Sequence, residues 1–263
     1  MPREYTYGPF RSRRLGLSLG VDILPRFKTC SFNCVYCEIG PTQSVVSPEY
    51  RVSLPPSPSF RVELKDIMKY VPHLDSISFG YNGEPTLNEN LLDFLYIARE
   101  VRDMLNWTGS PPNLTLFTNS STAYIKEIRE RMKEFDVVLA KLDAATQKDY
   151  EQSNQPHSGC PEISTIIDSL IKLRKDMPDK KLVIQCLIYA TYRKDITSNN
   201  NSQNIESIAR AINKIKPDIV QLYSIARIPA EYHVYSVDEE RKKEIVKKFK
   251  EIINNDLIEI NYF

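Results

Sequence analysis

No apolar run in this 263-residue sequence approaches the length needed to span a membrane, so no membrane partner is expected. The opening segment, MPREYTYGPFRSRR, holds no apolar signal core, and nothing in it marks the chain for export. Neither sign of charge is in excess. Lysine and arginine total 35 against 34 aspartates and glutamates, a formal net charge of +1, which excludes a globally basic surface for nucleic acid and leaves room only for a local patch. There is no repeat of fixed period and no long low-complexity tract; SNNNSQN (198–204) reads as a polar loop before a helix. Cysteine is scarce and odd in number. Of five, three fall within residues 30–37, a poor disulfide framework that points to a reducing cytoplasm and to metal or redox chemistry.

What the chain does have is alternation, with 41% hydrophobic residues arranged in a regular order. After a proline-rich connection at 47–60, β-prone runs alternate with stretches of helical period. The patterns predict strands over 16–23, 76–81, 114–119, 135–142, 181–189 and 218–224. They predict helices over 60–70, 88–104, 122–133, 161–175, 203–215 and 237–253, and the last apolar run, 257–263, reads as an edge strand. Six consecutive βα units argue for an α/β fold, a partial TIM-type (β/α)6 barrel whose parallel sheet is covered by outer helices. The reading is of one domain over 1–263, with a core from about 14 to 225 and the C-terminal helix and strand at 237–263. That helix carries six lysines and arginines, but Ile245, Phe249 and Ile252 recur on one face, as in an ordinary outer helix.

Cys30, Cys34 and Cys37 are spaced C-x3-C-x2-C. A structural zinc site takes four ligands, usually in C-x2-C pairs, and Cys160, Cys186, His73, His157 and His233 form no second local pair. A disulfide would strand one thiol. A [4Fe-4S] cluster held by three thiolates leaves one iron open for chemistry, while zinc and a simple electron-carrying cluster remain alternatives. Side-chain alternation adds candidates. Val137, Leu139, Lys141 and Asp143 share a face of the fourth predicted strand, and Asn119, Gln185, Gln221 and Tyr223 are polar residues in otherwise apolar strands. Two charges on a helix-facing side would be costly, so Lys141 and Asp143 are placed toward the barrel mouth, with a paired structural Lys–Asp, or residues already in the loop, as the alternative.

Cys30, Cys34, Tyr36 and Cys37 resemble the C-x3-C-x-aromatic-C signature of the radical S-adenosylmethionine (radical SAM) enzymes. The resemblance implies a [4Fe-4S] cluster on the three cysteines and S-adenosylmethionine on the open iron. Reductive cleavage would then yield a 5′-deoxyadenosyl radical. It also aligns Gly83, Glu84 and Pro85 in SFGYNGEPTLNENL with the superfamily's GGE-type motif, which contacts the amino group of S-adenosylmethionine; here Asn82 replaces the first glycine. Glu84 and Asp143 are expected to hold the cofactor without ligating iron, and Asn119 and Gln185 to line its site. No flavodoxin-like domain is recognisable, so an external one-electron donor of flavodoxin or ferredoxin type is expected.

YGPFRSRRLGLSLGVDILP and QLYSIARIPAEYHVYSVDEE resemble uncharacterised radical SAM proteins grouped with the tRNA wyosine synthases. This makes tRNA a candidate substrate, and Arg11, Arg13, Arg14 and Arg227 candidates for an anionic one. The wyosine synthases carry a second cluster on upstream cysteines; no cysteine precedes Cys30, which argues against wyosine synthesis itself. The alternative reading is a non-catalytic zinc or iron–sulfur module that contacts nucleic acid or protein. Cys186 is expected in the core, and Cys160 is a weaker redox candidate.

Overall fold

The computed structural model describes residues 3–255 and 257–263. Six parallel strands follow the predicted order: β2 (Gly16–Val21), β5 (Ser76–Phe79), β6 (Asn113–Thr118), β7 (Val137–Lys141), β8 (Lys181–Thr191) and β9 (Ile219–Ser224). The terminal apolar run is β11 (Glu259–Tyr262), which adds a seventh parallel strand beside β9. The sheet is a curled half-barrel with helices outside, a partial TIM-like barrel. Its helices are α1 (Pro58–Met68), α2 (Leu91–Asp103), α3 (Lys126–Met132), α4 (Gln147–Asn154), α5 (Ile163–Asp176), α6 (Ser202–Ile215) and α7 (Glu239–Ile252).

Strand alternation separates two cores. Val138, Ala140, Leu182, Ile184 and Cys186 face outward and pack with the helices in the main cluster. Val137, Leu139 and Val183 face inward and pack with Leu15, Phe117 and Ile219 inside the curl. Helix α6 shows the outer logic: Ile205, Ile208, Ala209, Ile212 and Ile215 are buried on one stripe, and Asn201 caps its start by accepting from the Asn204 N–H at 2.9 Å. On α7, Ile245 and Phe249 are buried, while Arg241, Lys242 and Lys248 pair with Glu244, Glu239 and Glu206. It is an outer helix.

Three departures from the sequence reading bear on the site. A strand β1 (Thr6–Ser12) runs antiparallel to β2, although Gly8 and Pro9 argue against a strand there; the register shifts between Tyr7 and Phe10 and absorbs both as a bulge. Gly20 permits this strap to lie close, because a Cβ there would fall 2.0 Å from the Tyr7 ring. Helix α3 starts at Lys126 rather than 122: Ser120 is left-handed (φ 71°), and the Ser121 and Thr122 hydroxyls bond instead to Ser31 and Thr86. Helix α4 was not predicted. Its sequence, QKDYEQSN, buries little apolar area and depends on its caps, Thr146 at the start and left-handed Gln155 at the end. The remaining strands are short: β3 (Thr29–Cys30) pairs with β4 (Ser44–Val45), and β10 (Val234–Ser236) pairs with β8.

Candidate active site at the cysteine loop

The cysteine loop leaves β2 and is sewn to the loop after β5. Thr29 N–H donates to Asn82 C=O at 3.1 Å, and Glu84 N–H donates to Thr29 C=O at 3.1 Å. Gly83 makes this approach possible. Its φ is 136°, and a Cβ would sit 1.7 Å from the Thr29 carbonyl oxygen. The two motifs, 50 residues apart in sequence, are therefore one structural unit. Gly83→Ala is expected to lower both the melting temperature and the iron bound after anaerobic reconstitution, since backbone strain alone costs about 1–3 kcal/mol. Wild-type values for both would show that the stitch is dispensable.

Cys30 is buried, and Cys34 and Cys37 are half-buried; all three line one cavity of about 770 Å³. Burial, with Cys34 and Glu84 nearby, pushes the Cys30 thiol up to about 12, and burial also raises Cys34. Ligation must therefore displace their protons. Each sulfur receives one side-chain N–H: Asn119 Nδ2 to Cys30 at 3.3 Å, Asn154 Nδ2 to Cys34 at 3.4 Å, and Lys28 Nζ to Cys37 at 3.1 Å. Neither Lys28 nor Asn154 carried a signal in the sequence. Asn154 ends the unpredicted helix α4, and Lys28 reads as one more cation before the motif.

The structure brings most of the predicted residues to this cavity. Gly83, Glu84, Asn119, Gln185, Arg11, Arg13, Arg14 and Arg227 all line it. Pro85 does not; it is buried at the start of a short turn, Pro85–Leu87. Glu84 is 1% exposed, and its carboxylate is already served by the protein. Oε1 accepts from the Thr86 and Thr118 hydroxyls at 2.6 and 2.9 Å, and Oε2 from the Asn119 N–H at 2.6 Å. Burial raises its pKa, and those same donors work in the opposite direction. Its visible role is to tie the loop after β5 to the end of β6.

Asp143 also finds partners inside the protein. It lies off the main cavity, where Oδ1 accepts from Leu187 N–H and Oδ2 from the Tyr36 hydroxyl, with Lys141 Nζ 3.6 Å away. Asp143 is thus a buried carboxylate paired with Lys141, with both oxygens served from within the protein. Lys141 is the group that reaches the cavity. Its ammonium lies 3.1 Å from the Tyr223 hydroxyl and 4.8 Å from the centre of the Tyr36 ring. Burial opposes its charge, yet Asp143, Tyr223 and Cys34 together hold its pKa above the ordinary lysine value. It is a fixed cation, not a free amine.

Across the cavity, the turn between β1 and β2 reaches the far side of the half-barrel. Leu15 plugs the inner core, Gln221 Nε2 donates to the Arg14 carbonyl at 3.4 Å, and the Arg14 guanidinium lies 4.1 Å over the Tyr223 ring. Arg14 Nη1 is buried with no hydrogen-bond partner among the described residues. Gln185 donates to Gln221 at 2.8 Å beneath it. Arg227 pairs with Glu38 at 3.2 Å on the exposed rim.

The sequence matches no profile of a known protein family. It is 29% identical over 255 residues to a UPF0026 protein of Methanocaldococcus jannaschii, covering 97% of this chain and 74% of that one. A UPF0026 protein of Helicobacter pylori is 28% identical over 221 residues, covering 84% and 66% respectively. A protein named GTPase Obg from Brachyspira hyodysenteriae is 29% identical over 247 residues, 93% of this chain but 33% of its own length. The chain therefore spans a third of one such relative and just under two thirds of another. It contains no G-x4-G-K-[ST] run, so the region shared with the GTPase has no P-loop here.

Among solved structures, Streptococcus suis SuiB bound to S-adenosylmethionine superposes with a TM-score of 0.61 at 13% identity, over 93% of this chain and 50% of SuiB. The protein anSMEcpe with bound AdoMet and a Cp18Cys peptide gives 0.62 at 16% identity, over 92% and 62%. The likeness is one of fold: this chain shares the curled half-barrel of these proteins. TYW1 with a lysine–pyruvate adduct gives 0.59 at 14% identity, over 89% of this chain and 73% of TYW1. That score stands level with the others, so the likeness does not single out TYW1.

The donor set fits a cluster better than a single ion. Among the described residues no three His, Cys, Asp or Glu side chains converge as ligands of one metal, as closed zinc sites require. Three thiols around one cavity suit a cluster, which spreads its ligands over separate irons. Cys186 lies in the helix-facing core, and Cys160 sits behind the loop with its Sγ 3.5 Å from the Ser31 carbonyl; neither lines the cavity. No helix among the described residues is long and apolar enough to cross a membrane.

Proposed function

We propose that this chain is a radical SAM enzyme that uses a [4Fe-4S] cluster to cleave S-adenosylmethionine reductively and act on a substrate bearing phosphate or carboxylate. One observation carries the reading: the three thiols open onto a cavity of about 770 Å³ that Arg11, Arg13, Arg14 and Arg227 also line. A binding module with a merely structural metal has no use for such a cavity, which falls in the size range of small-molecule sites. Cys30, Cys34 and Cys37 would hold the cluster, and Lys141 offers a cation to the methionine carboxylate. When bound, these groups supply radical chemistry started by one electron from an external flavodoxin- or ferredoxin-type donor. Phe32, Tyr36, Leu187 and Tyr223 give the site apolar wall.

Arg14 supports the anionic substrate. Its guanidinium is oriented by stacking on Tyr223, and its buried Nη1 has an unfilled bond to give, a preorganised fork for phosphate or carboxylate. A nucleotide within tRNA is one such substrate. Anaerobically reconstituted protein should be brown, hold about four irons per chain and release 5′-deoxyadenosine from S-adenosylmethionine under a low-potential reductant. Colourless protein with one zinc would instead establish the module. If tRNA is the substrate, binding should weaken steeply with salt and be lost when Arg11, Arg13 and Arg14 are all replaced by methionine. Salt-independent binding would eliminate this surface as the RNA site.

A further inference from the structure

We infer that Lys28 is a positioning residue for electron uptake: its ammonium, held against Cys37, makes a cluster on Cys30, Cys34 and Cys37 easier to reduce. The inference rests on the cluster reading above, but it comes from a separate observation. Each ligand sulfur has one side-chain N–H donor, and two of the three are neutral amides; only the donor to Cys37 carries charge. Lys28 is 4% exposed, so solvent screens that charge weakly. Its place is fixed from both ends. The backbone N–H donates to Gln43 Oε1 at 3.0 Å, and Nζ donates to the Gly40 carbonyl at 2.6 Å as well as to the sulfur.

The charge balance gives the direction. A [4Fe-4S]2+ core with three thiolates carries one net negative charge; one electron from a reduced flavodoxin, ferredoxin or chemical reductant raises this to two, with no bond made or broken. A cation within hydrogen-bond distance of a ligand sulfur stabilises the second state more than the first, and hydrogen bonds to sulfur act in the same sense. A cluster that already carries net negative charge resists a further electron, and Lys28 offsets that resistance.

The test is an electron paramagnetic resonance-monitored redox titration of the reconstituted full chain without S-adenosylmethionine. Lys28→Met should bind the wild-type amount of iron and show a midpoint more negative by at least tenfold in the reduction equilibrium, about 59 mV for one electron. Lys28→Gln, which retains an N–H but not the charge, should shift the same way by less, and Lys28→Arg should stay near wild type. An unmoved midpoint in Lys28→Met overturns the role. Loss of iron in both Lys28→Met and Lys28→Gln, with iron kept in Lys28→Arg, overturns it too and makes Lys28 a strut for the loop. Wild-type protein that takes up no iron would instead sink the enzyme reading itself.

Discussion

Cys30→Ala, Cys34→Ala and Cys37→Ala are each expected to abolish cluster assembly, while Cys186→Ala keeps full iron. The argument is one of valence and place. With three thiolates on one loop and neither remaining cysteine on the cavity, no substitute thiol stands ready when one is removed. Two thiolates do not retain a four-iron cluster through reconstitution and desalting. Cys186 lies in the outer core with its side chain fully enclosed, so its loss opens a small cavity and costs stability without touching the site. Iron and sulfide content per chain, together with the visible absorption of the brown protein, decides the matter. Full iron in any of the three variants would displace that residue from the ligand set.

The second large effect is expected at Lys141 and Asp143, and it separates stability from binding. Asp143 is 1% exposed in its side chain and Lys141 26%, so the charges face each other with little solvent between them. Removing one partner of a buried pair leaves the other uncompensated and costs roughly 3–5 kcal/mol. Lys141→Met should therefore unfold at clearly lower urea, and should bind S-adenosylmethionine about 10- to 100-fold more weakly, the worth of one charged hydrogen bond. In the double variant Lys141→Met/Asp143→Asn most of the stability should return, because no lone charge remains, while affinity stays low. Equilibrium dialysis and urea melts on the same reconstituted samples measure both. Wild-type affinity in the double variant would make Lys141 a purely structural partner of Asp143.

Much of this architecture was legible in the residues because it rests on local chemistry. Strands such as VVLAK and helices such as α6 announce themselves by period, and parallel βα order follows from their succession. The segments that escaped are those where local preference is weak or points elsewhere. Gly8 and Pro9 disguise β1, and α4 holds one large apolar residue, Tyr150, among polar ones. These are the elements that complete the site: the β1–β2 turn brings Arg14 to Tyr223, and α4 delivers Asn154 to Cys34.

The alternation along the strands and their succession were sufficient, by themselves, to determine the barrel, and the spacing of three cysteines to put three thiols on one loop. Each is a property of neighbours in the chain, where covalent spacing and side-chain period carry the information. Which carboxylates are free was decided only when distant segments met. Glu84 and Asp143 read alike as open acceptors, yet Thr86, Thr118 and Asn119 enclose the first, and Tyr36, Leu187 and Lys141 the second. Lys28 came to lie beside Cys37, and Arg14 over the Tyr223 ring, in the same way. A hydrogen bond depends on distance and direction in space, and no pattern along the sequence specifies which of 35 cations will end 3.1 Å from a ligand sulfur.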